Sequence, residues 1–178
     1  GRLFREHGVQ GASVGDIMSA AGMTHGGFYR HFTDKEDLLA AALTSAFETF
    51  AKPLHEASEK TVEEAIHAFR SDYLSEQHLA TPGEGCPAAA LGPDIARADS
   101  AVRKAFDDGI GLMAQGLERG LKDSASPRSD ALRDLSMMVG AVVLARGAGP
   151  ALAAEILDAC AHQRSDFSRP VQHDGALK

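Results

Sequence analysis

Tryptophan is absent from this sequence of 178 residues, and tyrosine and cysteine occur twice each. Two thiols, Cys86 and Cys160, cannot build the disulfide framework on which small secreted domains depend, so a reducing cytoplasm is the expected compartment. No N-terminal stretch has the charged-then-apolar form of a secretion signal. The longest uncharged apolar run, around residues 135–145, is too short to span a bilayer, so no membrane partner is expected. Positive charge is also short: 18 Lys and Arg stand against 25 Asp and Glu, a formal charge of −7. That excludes a uniformly basic nucleic-acid coat protein but leaves room for a local recognition surface. The imbalance is uneven, since residues 1–35 hold four Lys or Arg against three Asp or Glu, and the acidity falls in the remainder.

What is present is helix-forming. Ala, Leu, Glu and Arg dominate and clusters of β-branched residues are few, which favours helices over strands. Ser13 is placed to cap a helix starting at Val14, and Thr24 one running from His25 to about His31. Thr33 and Glu36 have the spacing of a capping box opening a long helix through Leu38, Leu39, Leu43 and Phe47, which Pro53 ends or kinks. Longer amphipathic helices are predicted over 62–79, from Pro87, over 100–121, from Ser126-Pro127 and over 150–162. The polar stretch from Ser165 to Lys178 reads as a frayed tail.

The informative segment is 13–37, SVGDIMSAAGMTHGGFYRHFTDKED. Two short helices parted by Gly22 and Met23 make a helix-turn-helix pattern, with Gly22 supplying the positive φ of a tight turn and Ile17, Ala21, Met23, Phe28 and Phe32 at positions that need apolar contacts. A plain helical hairpin is the alternative, but Thr24, His25, Tyr29, Arg30 and His31 leave a donor-rich face. Thr24, Tyr29 and His31 suit phosphate oxygens and Lys35 adds a charge beside them. Arg30 and His25 suit base edges, Arg toward guanine O6 and N7. Gly26 and Gly27 each weaken the helix by about 1 kcal/mol relative to Ala; they serve either a close backbone approach to the groove or nothing beyond a weak helix.

Within the stretch from Val9 to Leu39, the string GASVGDIMSAAGMTHGGFYRHFTDKEDLL (residues 11–39) resembles the TetR family of bacterial one-component regulators, with turn, cap, Tyr-x-x-Phe and Lys in register. The resemblance implies an all-α fold: a three-helix DNA-binding head over residues 1–47 and a helical ligand-binding and dimerisation domain over 48–164. It further implies a homodimer that packs its last two helices as a four-helix bundle. Such a dimer reads a palindromic duplex operator and releases it when a small-molecule effector binds. Met18 stands where a small Ala is commoner, and His25-Gly26-Gly27 where Lys-Gly-Thr is frequent, so base preference does not carry over. The chain opens inside what should be the first helix. The string GCPAAALGPDIARAD is similar to a segment in a branch of the family that includes electrophile-responsive repressors.

Phe69, Tyr73, His78, Phe106, Met113, Leu117 and Met137 mix apolar bulk with polar tips and are candidates to line the implied effector pocket, or else plain core. Cys86, directly before Pro87 at a helix start, is placed where the helix dipole favours thiolate, giving either an oxidant- or electrophile-sensing thiol or a small capping residue. Cys160 falls on an apolar stripe as packing. No His or Cys pair has metal-ligand spacing, and no cofactor motif appears, so neither metal nor cofactor is expected. Catalysis is not expected either. A thiol enzyme pairing Cys86 with His78, and a helical interaction module without DNA binding, remain as alternatives.

Overall fold

The computed structural model describes residues 1–162; the side chains of His25 and His162, and residues 163–178 with the tail read there, lie outside the described residues. Within them the chain is all-α, with α1 (Arg2–Gly11), α2 (Val14–Ala20), α3 (His25–Phe28), α4 (Lys35–Glu56), α5 (Val62–Tyr73), α6 (Glu76–Ala80), α7 (Pro87–Ile95), α8 (Ser100–Glu118), α9 (Pro127–Gly147) and α10 (Pro150–His162).

The spine of the fold is α4 laid along α8. Leu39, Leu43, Phe47, Ala51 and Leu54 recur at helical spacing on α4 and are all essentially sealed from water, as are Val102, Met113 and Leu117 on α8. The helices can meet this closely because Gly109 and Gly116, two turns apart on α8, carry no side chain: a Cβ at 109 would enter the Phe47 ring, and one at 116 would sit 2.7 Å from Leu54 Cβ. The C-terminal end of α4 is held by Arg119, whose guanidinium donates to the carbonyls of Leu54 (2.6 Å), His55 (3.0 Å) and Ala57 (2.6 Å), supplying partners for carbonyls that a helix end leaves unpaired. Helices α9 and α10 pack on one another and α9 on α8. Leu132, Val143, Leu144 and Leu152 point away from that contact and are 36–64% exposed.

Several local expectations are corrected. The start of α4 is not a Thr33–Glu36 box. Asp34 is the cap, accepting the Asp37 N–H at 2.9 Å, and the Asp37 carboxylate returns to the Thr33 N–H at 3.1 Å. A carboxylate one residue on outcompetes the hydroxyl, and Glu36 instead shares a hydrogen bond with Asp99, which holds its carboxyl above the usual range. Of the two outcomes expected at Pro53, an end to α4 is excluded, since the helix continues to Glu56. The single helix expected over 62–79 is two: Ser75 accepts the His78 N–H at 3.1 Å and starts α6, while Leu74 and Leu79 still face the core, so the apolar period runs through the break.

Candidate nucleic-acid interface and effector cavity

The N-terminal helices form a small head on the start of α4. Ser13 caps α2 as expected, accepting the Asp16 N–H at 3.1 Å, and Gly22 turns the chain with φ +68°. The apolar seats are Met18 (3% exposed) and Phe28 (2%), whereas Met23, expected to pack, is 41% exposed. Met18, not Met23, belongs to the buried core cluster with Phe28. Phe28 meets Tyr29 edge-on at 5.0 Å and Phe32 at 5.8 Å between ring centres.

The recognition helix is shorter than expected. Regular helix ends at Phe28, and residues 29–31 continue as turns in which Arg30 N–H reaches Gly27 O and His31 N–H reaches Phe28 O. Two adjacent glycines leave the helix too little intrinsic propensity to run on. Thr24 has the extended backbone of an N-cap, but its hydroxyl makes no capping bond. Thr24, Gly26, Tyr29, Arg30 and His31 are exposed in α3 and the turns that flank it, and Gly27 and Lys35 are half-buried. Among the described residues, nothing beyond its chain neighbours and its own helix backbone comes within 4 Å of where a Gly26 Cβ would stand.

A second feature lies on the other side of α4. A cavity of about 660 Å³ opens between α1, α4, α5 and α6. Phe69, Tyr73 and His78 line it as expected, together with Phe50, Asp72 and Glu84. Phe50 was not anticipated, yet it is the centre of the wall: its ring lies 5.5 Å from Phe69, 5.7 Å from Tyr73 and 5.7 Å from His78. Its position three residues after Phe47 on α4 was the available signal. The other expected lining residues are elsewhere. Met113 and Leu117 are sealed in the α4–α8 core, Phe106 packs edge-on to Phe47 at 5.7 Å, and Met137 lines a separate hollow of about 380 Å³ with Arg70, Asp134 and Cys160. A helix shows the same apolar period to a core and to a cavity, so spacing alone cannot separate the two.

Cys86 caps α7, with Pro87 in the first turn, but its thiol is wholly buried and stands 4.0 Å from the Met113 sulfur. Burial pushes the thiol up, outweighing the helix N-terminus expected to favour thiolate. Its backbone N–H donates to His78 Nε2 at 2.9 Å, and His78 Nδ1 donates to Tyr73 O at 2.6 Å. That pair of bonds requires the neutral imidazole, and burial likewise lowers the His78 pKa. The imidazole is thus spent on backbone groups, and the Cys86–His78 acid–base pair is not assembled. Tyr73 is 1% exposed; its hydroxyl makes no hydrogen bond of normal geometry and lies beside the Cys86 thiol. Among the described residues no group of three or more His, Cys, Asp or Glu could hold a metal ion, and no helix is long and apolar enough to cross a membrane.

Residues 2–42 match the family model of the bacterial regulatory proteins, tetR family. The HTH-type transcriptional regulator AcrR of Shigella flexneri is 51% identical over 39 residues, 22% of this chain and 18% of that protein. The HTH-type transcriptional repressor ComR of Escherichia coli K12 is 32% identical over 74 residues, 42% of this chain and 35% of that one. These matches span well under two thirds of either relative. Two crystal structures share the fold over most of their length. E. coli NemR in its reduced form has a TM-score of 0.70 and 22% identity over 90% of this chain and 88% of that one. A TetR-family regulator from Agrobacterium tumefaciens has a TM-score of 0.64 and 21% identity over 90% of each. The capped α2, the Gly22 turn and the start of α4 all lie inside the matched segment, and the all-α fold shared with the two crystal structures extends beyond it: over residues 2–42 this chain matches the tetR family of bacterial regulatory proteins.

Proposed function

We propose that this chain is a cytoplasmic transcriptional repressor that holds a palindromic duplex operator as a homodimer and releases it when a small molecule fills the cavity beside α4. The observation that carries the reading is that Thr24, Gly26, Tyr29, Arg30 and His31 are all exposed in and beside the short α3 while Met18 and Phe28 are buried. Arg30 and His25 are assigned to base edges; Thr24, Tyr29, His31 and Lys35 to phosphates; Gly26 and Gly27 to close approach of the backbone. The exposed leucines and Val143 on α9 and α10 form an apolar face suited to a second copy. Two-fold pairing there presents two recognition elements to successive major grooves, about 34 Å apart. The cavity offers an aromatic wall with a few polar groups, the make-up of a small-molecule site. Release is assigned to non-covalent binding there, because the Cys86 thiol is sealed and its thiolate disfavoured.

Sequencing the genomic fragments retained by the purified protein tests this. Enrichment of a short inverted repeat is expected. Arg30→Ala is expected to weaken binding to that repeat by about 1–3 kcal/mol and to relax one position of it. Retention of fragments with no shared sequence, or an Arg30→Ala protein that selects the same repeat equally well, overturns the reading.

A further inference from the structure

Helix α1 is broken two thirds of the way along, where Gly8 leaves helical geometry with φ +73° and ψ 171°. The single turn after the break, residues 9–11, has a free first N–H, and nothing in its own strand of chain caps it. The partner comes from 85 residues away: the Asp94 carboxylate on α7 accepts the Val9 N–H at 2.9 Å. A Cβ at position 8 would stand 3.2 Å from that carboxylate and would need a φ that L residues avoid, so glycine there serves both the break and the approach. Ala12 N–H returns to Gly8 O at 3.3 Å, Ala12 is 1% exposed, and Ser13 immediately caps α2. No slack separates the capped turn from the helix-turn-helix.

The first half of α1 is gripped by the same stretch of body. Arg5 Nε donates to Gly83 O at 2.9 Å and its terminal nitrogen donates to the same carbonyl. Thr81, Glu84 and Gly85, on either side of Gly83, belong to the cavity wall. Helix α1 finds its main packing partner in α7. One segment, 81–94, therefore borders the cavity, seats α1 and caps its broken end.

We infer that Asp94 is a positioning residue for the helix-turn-helix: its carboxylate, acting through the Val9 N–H, fixes the direction in which α2 and α3 leave the body. This rests on the reading of α2–α3 as a DNA-binding unit. The test uses the full chain and duplexes that the wild type enriches from a random-sequence pool. Asp94→Ala removes the acceptor and Val9→Pro removes the donor; proline is tolerated at a first helical position, and the ψ of Gly8 suits a following proline. Each is expected to weaken binding about ten-fold, the size of one lost hydrogen bond. The double variant is expected to be no weaker than either single one, as for two halves of one contact. Asp94→Asn, whose amide oxygen can still accept, is expected to stay within about two-fold of wild type.

Wild-type affinity for Asp94→Ala, equal losses for Asp94→Ala and Asp94→Asn, or additive losses in the double variant would each overturn the inference. A wild type that enriches no duplex would refute the DNA reading separately. Amide exchange over residues 14–31 then decides the positioning: faster exchange in Val9→Pro supports it and unchanged exchange refutes it. The same measurement serves if Asp94→Ala does not fold.

Discussion

The head and the body of this molecule are stabilised in opposite ways. The body is built on the 19 residues of α8 pressed against the 22 of α4 through side chains with essentially no exposure, with the 21 residues of α9 packed on α8. Ahead of α4 the helices are of 10, 7 and 4 residues, the first of them broken. Helices that short do not persist alone in water, where about 12–15 residues are marginal even for favourable sequences. They are held by caps, by one glycine turn and by the buried side chains of Phe4, Met18 and Phe28, and much of their remaining surface is left to polar groups. The difference teaches that exposure is distributed by task. The body gives up polar surface for a sealed core, and the head gives up buried area to keep donors outside.

The sharpest way to break this comparison is through the two thiols. If the body is as closed as its burial implies, a small alkylating reagent reaches Cys160 in the native protein and Cys86 only after opening. Opening a core costs several kcal/mol, so Cys86 should react about a thousand-fold more slowly or worse, read by mass spectrometry of quenched time points. Comparable rates at both sites would mean that the segment before α7 opens on its own and would restore the sensing reading of Cys86. Next in size is Leu117→Ala, which empties a site at the α4–α8 contact and is expected to cost about 2–5 kcal/mol in urea denaturation.

The head should respond to smaller changes. Asp34→Ala is expected to cost about 1 kcal/mol by loss of a helix cap, while Thr33→Ala should change stability little, because the capping oxygen belongs to Asp34. Equal effects of the two would return the cap to Thr33. Smallest is a pH effect confined to the body. His78 is neutral and its pKa in the fold is lowered from 6.5 by burial, so the unfolded chain binds the extra proton first. Its contribution is complete above about pH 6.5 and is lost as the pH falls below that value toward the folded pKa. Stability of the wild type should therefore fall over that range more steeply than that of His78→Gln, measured by thermal melts.

The fold was legible wherever a rule acts within one turn of chain. Ser13 capping α2, Gly22 at positive φ and Pro87 opening α7 all follow from near neighbours. The same rules failed where two neighbours compete for one role, as Asp34 and Thr33 do, or where the tie is made across space. Ser75 divides α5 from α6 although Leu74 and Leu79 keep the apolar period, because both helices face the same core. The exposure of Thr24, Tyr29, Arg30 and His31 was legible because they are polar where a buried helix would be apolar. Cavity residues were only partly so. Phe69 and Tyr73 meet open space while Met113 and Leu117 meet α4, a distinction fixed by how the glycine faces of α8 bring helices together. Sequence could not choose between the two readings of Cys86, which the structure makes the buried cap of α7, for a related reason: a helix start read in isolation carries no measure of what covers it.

One consequence follows from α4 alone. Its 22 residues contain no glycine and extend for about 33 Å at 1.5 Å per residue, with Arg119 fastening one end to the body and the head seated on the other. Such a helix is a moment arm. A tilt of about 5° at the Arg119 end carries the far end through about 3 Å, roughly the rise of one base-pair step along a duplex. On the function proposed above, changes too small to disturb the packing of the body would be magnified to the scale on which a sequence is read.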